Sequence, residues 1–136
     1  MPPMNDQEIA QLLSTARTIA VVGLSGNPDR PSFGVAQYLQ GRGYRIIPVN
    51  PGIESVLGEK SYASLSQIPE KVDIVDVFRR PEFVPALAEE AIAIGARCLW
   101  LQLGVIHEEA ARKARDAGLL VVMDRCLAVE RLRLAG

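Results

Sequence analysis

The run Thr18-Ile19-Ala20-Val21-Val22-Gly23 decides the fold of this chain of 136 residues. Five β-prone or apolar residues followed by a glycine are typical of a short strand that is buried on both faces of a sheet. Helical patterns lie on both sides of it. Asn5 and Glu8 have the spacing of a capping box at the start of a first helix. Ser32 is placed to cap a second helix, which is expected to end at the Gly41–Gly43 turn.

Four further apolar runs follow, most of them separated by helical patterns. Such alternation predicts a parallel sheet covered by helices on both faces, because parallel neighbours need long crossover connections. We therefore expect one Rossmann-like, doubly wound α/β domain over residues 1–136, with a mainly parallel five-stranded sheet in the order 3-2-1-4-5. Residues 51–70 are expected to form a loop with one helical turn. The other expected strands are Arg45–Asn50, Val72–Phe78, Arg97–Leu103 and Leu119–Asp124, and the later helices are Glu82–Ile94, His107–Ala117 and Cys126–Leu134.

Charge and composition exclude several classes of partner. The chain has 15 basic and 16 acidic residues and a net charge of -1, which does not favour binding to nucleic acid or to an anionic membrane. No apolar stretch approaches the ~20 residues that span a bilayer, and the N-terminal residues lack the basic start of a signal peptide. Cys98 and Cys126 both lie in apolar runs, which indicates free thiols in a reducing compartment. A cytoplasmic location is expected, and the exposed sheet edges leave a homo-oligomer open.

The segment after the first strand, Gly23–Arg30, is the most informative candidate site. Ligands of doubly wound sheets bind off the carboxyl ends of the strands, where the strand order reverses. This segment carries Leu24, Ser25 and Asn27 and leads into a helix. Backbone N–H groups and the positive end of the helix dipole there suit a phosphate or pyrophosphate. The alternative is that the small residues make only a tight turn.

The same segment does not match the dinucleotide fingerprint. In the G-x-G-x-x-G pattern, the three glycine positions hold Gly23, Ser25 and Pro28. The second strand ends in Asn50-Pro51, without the carboxylate that would bind a ribose diol. No arginine follows that strand to bind a 2′-phosphate. Ordinary NAD or NADP binding is therefore disfavoured.

Polar or aromatic residues also follow the third and fourth strands. Arg79 and Arg80 could pair with phosphate oxygens, and Phe78 could stack on a purine. The alternative is a core Phe beside two solvated arginines that form exposed ion pairs. Gln102 interrupts an apolar strand, so it either lies at the polar edge of the sheet or bonds a neighbouring loop. His107, the single histidine, stands at a helix start, where a capping or surface role is expected rather than catalysis.

Five strings in sequence order carry a family resemblance. The strings are Ile19–Ser25, Pro48–Pro51, Asp76–Pro81, Trp100–Gly104 and Val122–Cys126. Together they resemble the small stand-alone CoA-binding proteins, which are similar to the CoA-binding domain of the succinyl-CoA synthetase alpha subunit. The likeness extends from about Ile9 to Glu130. It implies a Rossmann-like fold that binds coenzyme A, or an acyl-CoA, across the carboxyl ends of the strands.

The resemblance also assigns parts of the ligand to individual strand ends. The pyrophosphate is assigned to Gly23, Ser25 and the loop that follows. The other implied residues are Val49, Asn50 and Pro51 beside the nucleotide, Val77, Phe78 and Arg79 near the adenine, and Gln102 and Gly104 near the pantetheine arm.

One position departs from the synthetase pattern. There a lysine follows the proline and glycine after the second strand, whereas here Pro51 and Gly52 are followed by Ile53. Arg30 or Arg79 would have to supply the missing charge. The affinity for the 3′-phosphate of CoA therefore depends on these arginines.

The function expected from the sequence is CoA or acyl-CoA binding without catalysis, as a carrier, a sensor or a partner of an enzyme. No catalytic residue or metal ligand is assigned, because no nucleophile–base pair or ligand cluster has a recognisable spacing. Cys126 either exchanges with a CoA disulfide or is a small buried apolar residue. One alternative is a CoA-dependent ligase or transferase component that needs another subunit. A second is a regulator that responds to NAD(H) or an adenine nucleotide.

Overall fold

The computed structural model describes residues 3–134. Five of its strands form one parallel sheet, and two very short strands form a separate antiparallel pair. Short 3-10 helices lie at Leu65–Gln67 and Pro81–Phe83. The elements in chain order are α1 (Asp6–Thr15), β1 (Thr18–Val22), α2 (Pro31–Gly41), β2 (Arg45–Val49), β3 (Ser55–Val56), β4 (Glu59–Lys60), β5 (Ile74–Val77), α3 (Val84–Ala93), β6 (Cys98–Leu101), α4 (Glu108–Asp116), β7 (Leu120–Met123) and α5 (Leu127–Leu134).

Helices cover both faces of the sheet, which confirms the predicted Rossmann-like α/β class. Because side chains alternate along a strand, each strand contributes to two cores. One core contains Val84 of α3 and Ala111 of α4, and the other contains Leu12 of α1, Leu39 of α2 and Leu127 of α5. Both faces of β1 are therefore buried, as its unbroken apolar run predicts.

The predicted strand order 3-2-1-4-5 is wrong in the placement of one strand. The sheet order is β2-β1-β5-β6-β7, which is 2-1-3-4-5 when the five main strands are counted along the chain. Strand β5 pairs with β1, so that Ile74 lies opposite Ile19. The carboxylate of Asp73 fixes this pairing by accepting the amides of Arg17 and Thr18 at 2.8 and 3.0 Å. The outer edge of β2, where the prediction placed the third strand, is occupied by Tyr62.

This order moves the switch point of the sheet. From β1 the chain passes through α2 outward to β2, and from β5 it passes through α3 to β6 in the opposite direction. The crevice of a 2-1-3-4-5 sheet therefore lies between the carboxyl ends of β1 and β5. The segments after these two strands, rather than those after β1 and β6, are brought into direct contact.

Most helix ends follow the predicted pattern. The capping box of Asn5 and Glu8 is confirmed, with bonds of 2.8 and 3.0 Å. His107 caps α4 by accepting the amide of Ala110 at its Nδ1. The predicted cap at Ser32 is wrong. Helix α2 begins one residue earlier, at Pro31, and the Ser32 hydroxyl accepts the amide of Ser25 in the preceding loop. The helices are 8–11 residues long, and within residues 3–134 none is long and apolar enough to cross a membrane.

Candidate functional site

Gly23 brings the ends of β1 and β5 into contact. Its φ is +85°, and a Cβ atom at this position would lie 2.5 Å from the carbonyl oxygen of Phe78 and 3.0 Å from Cδ of Arg79. Both the left-handed backbone and the lack of space require glycine here. At the switch point, the segments after β1 and β5 are therefore in direct contact, and the Gly23–Arg30 loop begins beside Arg79.

Internal hydrogen bonds order the Gly23–Arg30 loop. The Ser25 amide donates to the hydroxyl of Ser32 at 3.0 Å, and the Asn27 amide donates to the hydroxyl of Ser25 at 3.0 Å. Asn27 in turn accepts the amides of Asp29 and Arg30, at its side-chain and backbone oxygens respectively. The segment is thus more than a tight turn, since its polar side chains hold a defined loop ahead of α2.

The groups left over for an anion are fewer than the sequence suggests. Among residues 3–134, the amides of Leu24 and Gly26 in this loop have no acceptor, while the side chain of Leu24 is fully buried. Arg30 is exposed at the start of α2 and has no ion pair within residues 3–134. The positive end of α2, these two amides and the guanidinium are what the loop offers to a phosphate.

Asn50 ties the segment after β2 to the loop after β1. Its Nδ2 donates to the carbonyl of Leu24 at 3.0 Å, and its Oδ1 accepts the amide of Gly52 at 2.8 Å. Pro51 is exposed beside it, whereas Val49 is only 4% exposed in the core. Ile53, at the position of the synthetase lysine, is half-buried and packs against the core.

The two consecutive arginines, Arg79 and Arg80, have different environments. Arg79 is half-buried, with its guanidinium carbon 4.1 Å from the ring centroid of Phe83, and no carboxylate within residues 3–134 lies at ion-pair distance. Arg80 is 77% exposed and pairs with Glu82 at 3.4 Å. Arg79 is therefore the cation positioned at the switch point, and Arg80 matches the alternative of a solvated ion pair.

A mainly apolar cleft of about 540 Å³ opens from this point across the ends of β5 and β6. Five residues of the sequence prediction line it: Phe78, Arg79, Arg80, Gln102 and Gly104. The cleft is also lined by Cys126, which the sequence leaves open as an exchange site or a small buried residue. Five further lining residues were not predicted as site residues: Pro31, Val35, Pro81, Leu103 and Val105. Apolar side chains carry no chemical signature of their own, and the one available signal was their position after a strand or at a helix start.

Gln102 forms part of the far wall of the cleft. The side chain is 4% exposed, and its Oε1 accepts the amide of Leu127 at the start of α5 at 3.0 Å. The structure shows no acceptor for its Nε2 within residues 3–134. The Nε2 atom itself is not fully buried, so this donor is open to solvent in the cleft wall.

The segments after β6 and β7 are joined at the same wall. Asp124, with a φ of +62°, accepts the amide of Gly104 at 2.7 Å. The indole of Trp100 donates to the carbonyl of Arg125 at 2.8 Å. The amide of Gly104 is therefore already used, and Cys126 is held beside it as a half-buried free cysteine.

Two buried titratable groups lie on the strands behind the site. Asp76 is fully buried, neither carboxyl oxygen has a hydrogen-bond partner within residues 3–134, and burial raises its pKa well above the usual value. Burial, and then the neighbouring Asp76, raise the pKa of the Cys98 thiol. Both side chains are shielded from solvent. The side chain of Val77, also fully buried, lies in the core on the other face of the sheet.

Comparison with known proteins gives one consistent result. Residues 17–131 match the family model described as a CoA binding domain. The chain is 46% identical to YneT of Bacillus subtilis over 90% of both chains. It is 30% identical to the ADP-forming acetate–CoA ligase II of Archaeoglobus fulgidus over 72% of this chain, but this match covers 15% of the ligase. The structure of a hypothetical protein from Pyrococcus horikoshii superposes with a TM-score of 0.95 at 40% identity, over 100% of this chain and 98% of that one. This chain belongs to the CoA binding domain family.

Proposed function

We propose that this protein binds coenzyme A or an acyl-CoA at the carboxyl ends of β1, β5 and β6, as a carrier or sensor without catalysis of its own. The observation that carries the proposal is the close approach of Gly23 to the carbonyl group of Phe78 and to the side chain of Arg79. It sets an uncompensated guanidinium beside the loop after β1, at the mouth of an apolar cleft.

The two halves of such a ligand match the two halves of the site. Phosphate groups suit the free amides of Leu24 and Gly26 together with Arg30 and Arg79, because charge-assisted hydrogen bonds are about twice as strong as neutral ones. The pantetheine arm is less polar and suits the cleft beyond Phe78. Since Ile53 offers no charge, the arginines carry the electrostatic part of the affinity.

Calorimetric titration with CoA, acetyl-CoA, ADP and NAD tests the proposal. We expect CoA to bind more tightly than ADP or NAD, since only CoA and its thioesters fill the cleft. Arg79→Glu should weaken CoA binding at least tenfold, because hydrogen bonds to charged groups contribute ~1.5–3 kcal/mol. Ser25→Glu should weaken it at least tenfold as well, because it sets a carboxylate beside the phosphate groups. Arg42→Glu is the matched control, because this exposed arginine lies between α2 and β2, at the amino ends of the strands and away from the site.

Binding of CoA by both site variants with the affinity of the parent would place the ligand elsewhere. Tighter binding of NAD than of CoA would instead favour the nucleotide-responsive regulator. In each comparison, circular dichroism of the variants verifies that the fold is retained.

A second candidate function is that of a CoA-binding component of a ligase. The 30% identity to a segment of the Archaeoglobus ligase favours it. Turnover of CoA, acetate and ATP by the isolated chain would support this candidate over the carrier. A DNA-binding role has no support, since the net charge is -1.

A further inference from the structure

Cys126 lies in the wall of the cleft, next to an unused polar group. It is a free, half-buried thiol at the residue before α5. In the same wall, Gln102 is nine-tenths buried and its Nε2 has no acceptor within residues 3–134. A donor with no protein partner inside a cleft is available to a carbonyl group of a ligand. The pair therefore offers one group to hold a ligand and one to react with it.

The other cysteine has a different environment. Cys98 is fully buried within β6, where burial raises the pKa of its thiol. A thiol with a raised pKa is mostly protonated near neutral pH and is therefore a poor nucleophile. The two cysteines of this chain thus provide an internal comparison between a thiol in the cleft and one in the core.

The distance across the sheet matches the length of the pantetheine arm. The Gly23–Arg30 loop follows β1, and Cys126 lies after β7. Strands β1 and β7 are three inter-strand spacings apart in the sheet. At 4.7–4.9 Å per step, this is ~14 Å. The arm has about a dozen bonds between its phosphate oxygen and its sulfur, which also extends to ~14 Å at the rise per bond of a peptide chain. The arm of a ligand with its phosphates at the β1 loop is therefore long enough to reach Cys126.

We propose that Cys126 is a thiol–disulfide exchange site that takes up one half of a CoA disulfide, with the Nε2 of Gln102 holding an amide carbonyl of the arm. This inference rests on the proposed function. The Cys126 thiol loses its proton to solvent and its sulfur attacks one sulfur of the CoA disulfide. The ligand's S–S bond breaks, a Cys126–CoA disulfide forms, and the second CoA leaves with the bonding electron pair as a thiolate that solvent protonates. The CoA disulfide is the oxidant.

Intact mass spectrometry after incubation with CoA disulfide tests the inference. We expect one adduct per chain, equal in mass to CoA less two hydrogen atoms, and its release by dithiothreitol. Peptide mapping of the parent protein should place the adduct on Cys126. Cys126→Ser should abolish it, and Cys98→Ala should retain it.

Two further arms show whether the reaction is directed by the site. Acetyl-CoA, whose sulfur is blocked, should slow formation of the adduct at least tenfold by occupying the cleft. Glutathione disulfide, which lacks the nucleotide, should react at least tenfold more slowly than CoA disulfide. An adduct on Cys98, equal rates with glutathione disulfide, or no protection by acetyl-CoA would each overturn the inference.

Titration with reduced CoA separates the two proposals. If reduced CoA binds but CoA disulfide gives no adduct, the exchange site is refuted and the proposed function stands. If reduced CoA does not bind, the proposed function is refuted and the exchange inference with it.

Discussion

Replacing Asp76 with asparagine should flatten the dependence of this protein's stability on pH. Asp76 lies in β5 between Val21 of β1 and Trp100 of β6, fully buried and without a hydrogen-bond partner within residues 3–134. Burial raises its pKa well above the usual value of an aspartate, so the folded protein keeps this carboxyl protonated at pH values where the unfolded chain has already ionised it. The folded state then binds one more proton than the unfolded state.

The sign and size of the effect follow from this difference in bound protons. Where the unfolded state binds fewer protons, the free energy of unfolding falls as the pH rises. For one group the fall is ~1.4 kcal/mol per pH unit, a factor of ten in the unfolding equilibrium. It begins near the pKa of an unfolded aspartate, ~3.9, and ends where the folded carboxyl itself ionises.

Urea denaturation of the parent and of Asp76→Asn from pH 5 upward measures this slope. The asparagine amide adds a buried donor with its own cost of ~1–3 kcal/mol, but that cost does not depend on pH. Asp6 and Glu70 have lowered pKa values from their arginine partners and make stability rise with pH. Because both proteins keep them, they cancel in the difference. Asp116→Asn, which removes an exposed carboxyl, is the control.

The expected result is that the free energy of unfolding of Asp76→Asn, minus that of the parent, rises by ~1.4 kcal/mol per pH unit. The same quantity for Asp116→Asn should not change with pH. Parallel pH profiles for the parent and Asp76→Asn would refute the reasoning. They would mean that the folded protein carries Asp76 ionised or exposes it.

Three further predictions concern the fold. Gly23→Ala should lower the free energy of unfolding, measured by urea denaturation, by ~2–6 kcal/mol, because it adds left-handed strain and a clash with the Phe78 carbonyl. Gly43→Ala, at a φ of +98° in open space, should lower it by the strain alone, ~1–3 kcal/mol. Equal losses for the two variants would refute the close approach of Gly23 to Phe78. Val21→Asp should give no soluble folded protein, because it buries an unpaired charge in β1; a folded variant by circular dichroism would contradict the burial of this strand. Asn5→Ala should lower the free energy of unfolding by ~1 kcal/mol through loss of the capping box, and an unchanged urea midpoint would show that α1 does not depend on it.

The fold class was predictable because its signal is local. Each buried strand lies in a mainly apolar run, interrupted in β5 by Asp76, and glycines such as Gly95 and Gly118 mark helix ends. The predicted strands were nevertheless too long at their carboxyl ends. Gln102 and Asp124 follow the last paired residues of β6 and β7, and their side chains accept the loop amides of Leu127 and Gly104.

The candidate site was predictable only in part. Polar and aromatic residues after a strand, such as Arg79 and Gln102, have a chemical signature and do line the cleft. Val35 and Leu103 line it as well, but an apolar residue in the wall of a cleft has the same sequence pattern as one in a core. The roles of Val49 and Val77 in ligand binding stay predictions. Because their side chains are buried in the core, only their backbone groups are available to a ligand.

The sequence by itself determined the helices and strands, because apolar runs, helix caps and the glycines that end helices depend on neighbours a few residues apart. It also indicated the chemistry expected at each strand end. Only the tertiary structure decided which strand ends meet. The order 2-1-3-4-5 depends on long-range bonds such as that from Asp73 to the Thr18 amide and on Tyr62 at the edge of β2. Such bonds join residues many positions apart, so they leave no periodic pattern in the chain, and they are what brings Arg79 to the loop after Gly23.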